Sequence, residues 1–181
     1  MHHMFPKTIL LLVLFATATA SFAQDLAYIE VFGSKIYFEP PDTSKWEMSD
    51  NSAQSETMHL LQFIHAPIAD SEGHEIRPVI AIIAEKVTDS VDVVTYSIAK
   101  RLKVSFKVVK VLTPQDSCFD FQNAIGYEGT YDSHGVLHRV IIAHMRHAEV
   151  GLQVICDSTD GVYSSVVHEM RRFIKSIGID M

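Results

Sequence analysis

The sequence predicts an α+β fold, in the form of an α/β/α sandwich with a central, mainly antiparallel sheet and two principal amphipathic helices. Strand-like segments are grouped before one helical segment and again after it, instead of alternating with helices. Residues 78–87 are apolar on both faces of their pleat, as in a strand that is buried on both sides. The last 20 or so residues carry apolar side chains at the spacing of an amphipathic helix.

The N-terminal half of the chain predicts strands and then a helix. Residues 28–39 are typical of a hairpin with its turn at Gly33-Ser34, and residues 42–57, which include Trp46, are expected to form a loop. Strands are predicted at residues 58–66 and 78–87, and the first helix at residues 90–103. The apolar stripe of that helix is expected to face the core and consists of Val91, Val94, Ile98 and Leu102.

The C-terminal half predicts a meander and a closing helix. Its strands are expected at residues 104–113, 124–131, 136–146 and 152–157, with a tight turn at residues 132–135. The closing helix is expected at residues 161–176. Its apolar face consists of Tyr163, Val166, Val167, Met170, Phe173, Ile174 and Ile177.

The first 23 residues predict an exported protein. Lys7 is their only charged residue, an apolar run follows at residues 9–16, and small residues lead to Ala23. This pattern is typical of a secretory signal peptide, since a membrane-spanning helix needs about 20 apolar residues. We therefore expect residues 1–23 to be a signal peptide, starting at Met1 or Met4, and residues 24–181 to be one domain. The product is expected in the periplasm or the medium, without stable membrane insertion.

Charge and size limit the classes of function. The full chain has 181 residues, 48% of them hydrophobic, and a net charge of −7. Residues 24–181 hold 14 basic and 22 acidic residues, a net charge of −8. Such a domain is large enough for one hydrophobic core. We expect no nucleic-acid partner, because sequence-independent binding to phosphates needs a concentrated basic surface.

The order of elements resembles the PsbP-like superfamily, which includes the PsbP subunit of photosystem II and bacterial DcrB-type lipoproteins. The matching pieces are the segment Ile-Tyr-Phe-Glu-Pro-Pro from Ile36, followed by Trp46, then the helix from Ser90, and an ending of strand, short turn and helix. The chain differs from DcrB-type proteins in lacking a lipobox cysteine. The resemblance implies a noncatalytic binding or assembly role, and it assigns no site residues.

Cys118 and Cys156 are the candidate disulfide pair, because disulfides persist in the oxidising compartments that an exported protein reaches. The alternative is that Cys156, which follows the apolar residues Val154 and Ile155, is a buried small hydrophobe. The spacing of 38 residues does not decide between them, since bonding depends on the distance between the two Cα atoms.

No motif for catalysis, a cofactor or a metal is recognisable. The G-x-S-x-G, Cys-x₂-Cys and His-Glu-x-x-His patterns are absent, and so is a glycine-rich phosphate loop. His138 and His144 share a strand face but stand ~20 Å apart along it, too far to bind one ion. A metal site would therefore need histidines from different strands. The candidates are His59, His65, His74, His134, His138, His144, His147 and His168.

The leading hypothesis is an exported, noncatalytic protein-binding or assembly-support protein, with another protein as its partner and no cofactor. A second hypothesis is a periplasmic immunity or inhibitor protein, because acidic inhibitors pair with basic targets by electrostatic steering. A third is a secreted metal-dependent enzyme that uses cross-strand histidines.

Overall fold

The computed structural model describes residues 26–49 and 56–180. The predicted signal peptide therefore lies outside the described residues. The helices are α1 (Val93–Arg101) and α2 (Asp160–Ser176). The strands are β1 (Ala27–Val31), β2 (Ser34–Phe38), β3 (Trp46–Ser49), β4 (Met58–His65), β5 (Ile68–Ala69), β6 (Glu75–Ile76), β7 (Val79–Lys86), β8 (Lys107–Leu112), β9 (Ala124–Ser133), β10 (Val136–His147), β11 (Val150–Thr159) and β12 (Gly178–Asp180).

Seven strands form the main sheet, in the order β3-β4-β7-β11-β10-β9-β8, and every neighbouring pair is antiparallel. The prediction of an α+β fold with an antiparallel sheet is thereby confirmed. β7, β11 and β10 lie in the middle, which explains why residues 78–87 are apolar on both faces. β8 is an edge strand, and its pairing with β9 is interrupted by an irregularity between Val108 and Lys110.

The two helices contact opposite faces of the main sheet. Ala143 and Met145 of β10 belong to the same buried cluster as residues of α2. His144, between them in sequence, bonds to Ser97 of α1 instead. Because successive side chains of a strand point to opposite faces, these contacts define an α2 face and an α1 face. α1 has nine residues and contacts mainly β9 and β10, so the full three-layer sandwich stays a prediction.

A second sheet joins the two ends of the described chain, in the order β1-β2-β12. The predicted hairpin of β1 and β2 is confirmed, but its turn lies one residue earlier, at Phe32-Gly33, because Ser34 already pairs with Val31. Both turn residues have positive φ values (51° and 82°), as in the type I′ turn of a two-residue hairpin. The Phe38 ring of β2 packs into the core and so connects this small sheet to it.

The main core lies between the α2 face and α2. Phe38 of β2, Phe63 of β4 and Phe173 of α2 pack with ring centroids 5.5–5.9 Å apart. The predicted apolar face of the closing helix is confirmed, since Val166, Met170, Phe173 and Ile174 are all buried.

The expected loop at residues 42–57 is wrong at Trp46, where β3 begins. The indole ring is buried and its Nε1 donates to Glu169 Oε2 of α2 at 2.7 Å. Trp46 is therefore fixed by a partner 123 residues further along the chain. A strand with one buried residue and mostly polar neighbours has no periodic pattern by which to recognise it.

Candidate binding surface on the α1 face

α1 rests on the sheet through polar contacts centred on Glu85 of β7. The Tyr96 hydroxyl donates to Glu85 Oε1 at 2.5 Å, Gln153 Nε2 donates to the same oxygen at 3.1 Å, and Lys100 forms an ion pair with Oε2. Burial, reinforced by the Glu85 carboxylate, raises the pKa of Tyr96 and keeps its hydroxyl protonated. The carboxylate thus receives three donors in a half-buried position, as a charge removed from water requires.

Ser97 and His144 form the second part of this contact. The Ser97 hydroxyl lies 2.9 Å from His144 Nδ1 and 2.9 Å from the Tyr127 hydroxyl. Burial, and secondarily the Lys100 cation, lowers the pKa of His144 to about 4. A serine beside a histidine resembles a nucleophile and its base, but the Ser97 side chain is fully buried. The pair joins α1 to β10.

The apolar stripe predicted for the first helix faces solvent. α1 begins at Val93, with Asp92 as its N-cap, and Val94, Ile98 and Leu102 are 51%, 51% and 81% exposed. The prediction was wrong because the sheet beneath α1 presents Glu85 and His144. Those groups draw the polar side of the helix inward and turn its apolar side out.

β8 and the segment before it add to this exposed apolar area. Val104, Val109 and Val111 are each more than two-fifths exposed. Half of the exposed large hydrophobic side chains among the described residues therefore lie between residues 94 and 111. Contacts tie α1 to this edge, since Arg101 donates to the carbonyl oxygens of Val104 and Phe106 at 2.8 and 2.7 Å and lies over the Phe106 ring.

The same segment is basic, in contrast to the rest of the chain. Residues 93–115 contain no acidic residue, although the whole chain has a net charge of −7. We define the α1–β8 surface by its exposed apolar side chains and the cations among them. Its members are Val94, Ile98, Leu102, Val104, Val109 and Val111, with Arg101, Lys103 and Lys107.

A cavity of about 280 Å³ opens beside this surface, under the segment that follows α1. It is lined by Val104, Ser105, Phe106, Tyr131, Val140, Ile142, Ile155 and Asp157. Its volume lies just below the ~300–1,000 Å³ of drug-sized ligand sites. The cavity therefore suits one large side chain or a small molecule.

One wall of the cavity is polar. The Tyr131 hydroxyl donates to Asp157 Oδ2 at 2.6 Å, and His138 Nδ1 lies 3.1 Å from Asp157 Oδ1. The Tyr131 and His138 rings stack at 4.8 Å. Burial, and then the Asp157 carboxylate, raises the pKa of Tyr131, so the phenol stays neutral. The arrangement fixes one carboxylate at the edge of an apolar cavity.

The histidines are dispersed over separate environments. His65 packs against Trp46, His59 against Phe32, His147 against Phe121, and His74 pairs with Asp70. His134 lies in the β9–β10 turn and His168 on α2. Across residues 26–49 and 56–180, no three His, Cys, Asp or Glu side chains are grouped so that they could hold a metal ion. The cross-strand histidine hypothesis thus finds no ligand set in that part of the chain.

Cys118 and Cys156 both carry free thiols in the structure. Cys156 lies on β11 with its side chain fully buried in the main core, as the alternative to a disulfide supposed. Burial, the dominant effect, raises the pKa of its thiol. Cys118 follows the short 3-10 turn Pro114–Asp116 and is partly exposed.

Comparisons with known proteins show the fold and no family. No family model matches the chain, and no curated protein matches it either. The structure is similar to that of LpqN of Mycobacterium tuberculosis, a protein described as involved in cell envelope biogenesis. The TM-score is 0.57 with 15% sequence identity, over 87% of this chain and 91% of LpqN. The two chains therefore share their overall α+β architecture.

A second solved structure, PA94 of Pseudomonas aeruginosa, is described as a protein of unknown function. It matches with a TM-score of 0.43 and 10% identity, over 79% of this chain and 89% of PA94. Neither helix in the described part of this chain is long and apolar enough to cross a membrane.

Proposed function

We propose that this chain is an exported, noncatalytic protein that binds another protein in an assembly-support role, through the α1–β8 surface. The observation that carries the proposal is the exposure of Ile98 and Leu102 on a helix whose buried side is polar. Solvent exposure of apolar side chains grouped in one region, with charged groups among them, is typical of interaction sites.

The charge of the surface indicates the chemistry of the partner. Arg101, Lys103 and Lys107 lie among the apolar side chains, so the partner is expected to present acidic groups around an apolar centre. Such complementarity mainly accelerates association and makes it sensitive to salt. It also counts against the inhibitor hypothesis, which supposed that the acidic character of this chain meets a basic target.

The adjoining cavity offers a place for an anchoring side chain. Aromatic and arginine side chains contribute most of the binding energy in many interfaces when they fill such cavities. The Asp157 carboxylate at the cavity wall can accept a hydrogen bond from a tyrosine hydroxyl or a guanidinium group. We therefore expect the partner to insert one such residue there.

Recognition is expected through side chains and not by the addition of a strand to β8. The irregular pairing at Val109 and the two lysines of β8 are the devices with which proteins protect a free sheet edge. A partner strand would meet a distorted hydrogen-bonding edge and two cations.

The remaining parts of the proposal extend beyond this surface. We take the chain to be a PsbP-like α/β/α sandwich, and the likeness to LpqN, a cell envelope protein, is compatible with export to the periplasm or the medium. A noncatalytic role is supported by the burial of Ser97, a serine that is bonded to a histidine.

The proposal is tested by comparing two double variants with the unaltered full chain. Ile98→Asp with Leu102→Asp places charges in the α1–β8 surface. Tyr28→Asp with Met48→Asp is the matched control, because these side chains are 53% and 56% exposed on β1 and β3, outside α1 and β8. Each variant is used to capture partners from the native envelope fraction, and the affinity of the captured protein is then measured.

The α1 variant is expected to lose at least about tenfold in affinity, since ~1.4 kcal/mol corresponds to tenfold. The control variant and the unaltered chain should bind equally, with affinity falling as salt increases. Equal binding by both variants, or turnover of a substrate by a chain that captures no partner, would overturn the proposal.

A further inference from the structure

A second cavity lies on the α2 face, away from the α1–β8 surface. It has a volume of about 240 Å³ and lies between α2 and the strands β8, β9 and β10. Three side chains that are at least 97% buried form its apolar floor, namely Leu112, Ile141 and Ile174. The floor is continuous with the main core, so the cavity is a rigid depression in it.

The rim of this cavity is cationic. Arg171, Arg172 and Lys175 line it, against the single carboxylate of Glu128. Arg171 donates to Glu128 Oε1 through Nε at 3.0 Å and through Nη2 at 2.6 Å, which neutralises one charge of each sign. Arg172 and Lys175 are the cations that remain.

These two cations have only loose partners. The nearest carboxylate to Arg172 is that of Glu39, at 3.9 Å, and the nearest to Lys175 is that of Asp120, also at 3.9 Å. Both basic side chains are about half exposed, and exposed pairs at this distance contribute little. Both cations are thus available to a further anion.

Neighbouring elements strengthen the positive charge. Lys110 of β8 stands opposite Glu128 in the sheet register. The rim is cationic, whereas the whole chain has a net charge of −7. The cavity therefore carries a charge of opposite sign to that of the molecule as a whole. Folding alone does not require this concentration of cations.

We propose that the cavity binds a small organic anion that carries an apolar group, such as a carboxylate or phosphate attached to a short hydrocarbon. The hydrocarbon would lie on Leu112, Ile141 and Ile174, and the anionic group would bind Arg172 and Lys175. Charge-assisted hydrogen bonds to these groups orient the ligand. The ligand is taken up from solution, as a free molecule.

Cys118 provides a reporter within the cavity. Its side chain lines the wall beside Ser117 and is partly exposed, whereas Cys156 is fully buried. Iodoacetamide, which is uncharged, should therefore alkylate only Cys118 in the folded chain. A ligand in the cavity slows that alkylation, and the ratio of rates without and with ligand measures occupancy.

The probes are octanoate, octanol and octylammonium, which share a chain and differ in charge. Octanoate is expected to slow alkylation of Cys118 by about fivefold or more at saturation, and the other two far less, because only octanoate pairs with the cations. Equal protection by octanol would overturn the proposal. Protection by vesicles containing phosphatidylglycerol but not by octanoate would also overturn it, in favour of a membrane-facing surface.

Two double variants distinguish the contribution of the rim cations from the effect of a general change in net charge. Arg172→Gln with Lys175→Gln removes the two available cations and leaves the Arg171–Glu128 pair intact. The matched control is Lys35→Gln with Lys86→Gln, two half-exposed lysines with loose carboxylate partners far from the cavity. The rim variant should lose protection by octanoate and the control should keep it. Equal protection in both variants would contradict the proposal.

Discussion

His144 on β10 and Ser97 on α1 lie 2.9 Å apart and share a hydrogen bond, with both side chains almost completely buried. The bond joins the only helix on the α1 face, among the described elements, to the centre of the sheet. It holds while the imidazole is neutral, because burial and the Lys100 cation oppose a charge there. The attachment of α1 is therefore expected to depend on pH.

Stability is expected to fall in mild acid because of His144. The pKa of this group is about 4 in the folded chain and ~6.5 when unfolded, so between these values the unfolded state binds more protons. Its contribution is complete above pH 6.5, declines as the pH falls, and levels off below pH 4. Between pH 7.5 and 4.5 the loss amounts to about 2–3 kcal/mol. Urea unfolding at each pH measures it.

His144→Gln is the variant that isolates this effect, because glutamine can bond to Ser97 and does not titrate. The difference in unfolding free energy between pH 7.5 and 4.5 should shrink by about 2 kcal/mol relative to the unaltered chain. His74→Gln, at an exposed position, is the control. If both variants retain the full pH dependence, His144 is not its source.

Tyr96→Phe is expected to destabilise the fold by about 1.5–3 kcal/mol, the range for a hydrogen bond to a charged group. The hydroxyl that donates to Glu85 is removed, while the ring and its packing stay. Urea unfolding at pH 7.5 measures the change. Tyr28→Phe, in a half-exposed ring on β1, should change stability by less than about 0.5 kcal/mol. Equal effects of the two substitutions would exclude the role given to Glu85.

Gly129→Ala is expected to cost about 1–3 kcal/mol by overpacking. A Cβ atom at this position of β9 would lie 2.5 Å from the Lys107 carbonyl oxygen and closer still to the Phe106 ring. At Gly161, in the first turn of α2, the nearest atom is 3.5 Å away. Gly161→Ala should therefore be neutral or stabilising by up to about 1 kcal/mol, since alanine favours helix. Thermal unfolding of the two variants compares them, and a Gly129→Ala protein as stable as the original would contradict the packing.

The two thiols are expected to differ sharply in reactivity. In the folded chain one equivalent of a thiol reagent should react, at Cys118, because Cys156 is buried and burial raises the pKa of its thiol. In denaturant both thiols are exposed, and two equivalents should react. Mass spectrometry of the alkylated peptides identifies the site. If protein isolated without reductant gives no reactive thiol in denaturant, the two cysteines form a disulfide.

The buried face of a helix was predicted correctly from the sequence only where apolar contacts determine that face. The face of α2 was predicted correctly, because Val166, Met170 and Phe173 bury an apolar side against an apolar sheet. α1 was predicted to face the wrong way, because Glu85 and His144 stand beneath it. Those residues lie 8 positions before and 51 positions after Val93, and no local periodicity reports their presence.

The buried Arg146 shows the same limit. Its guanidinium group donates to the carbonyl oxygens of Thr88, Val91 and Val150 and so shapes the approach to α1. A charged residue within a strand predicts an exposed position, and only the folded loop supplies carbonyl groups to satisfy it.

One sequence signal for the α1–β8 surface was not used in the predictions. Five basic residues and no acidic ones occur between Asp92 and Asp116, in a chain that is acidic elsewhere. Such a local reversal of charge indicates a distinct surface, although the exposure of Ile98 and Leu102 could be learned only from the structure. The sequence holds no comparable signal for the cavity on the α2 face, because residues of α2 and of three separate strands form it.

The pairing of β2 with β12 has a consequence for the order in which the molecule can form. Ile36 stands opposite Ile179, so the small sheet cannot close until residues 178–180 have left the ribosome. Contacts between such distant segments carry a large loop-closure cost and form late. The small sheet therefore stays open until residues 178–180 have been made, whatever part of the main sheet has formed before them.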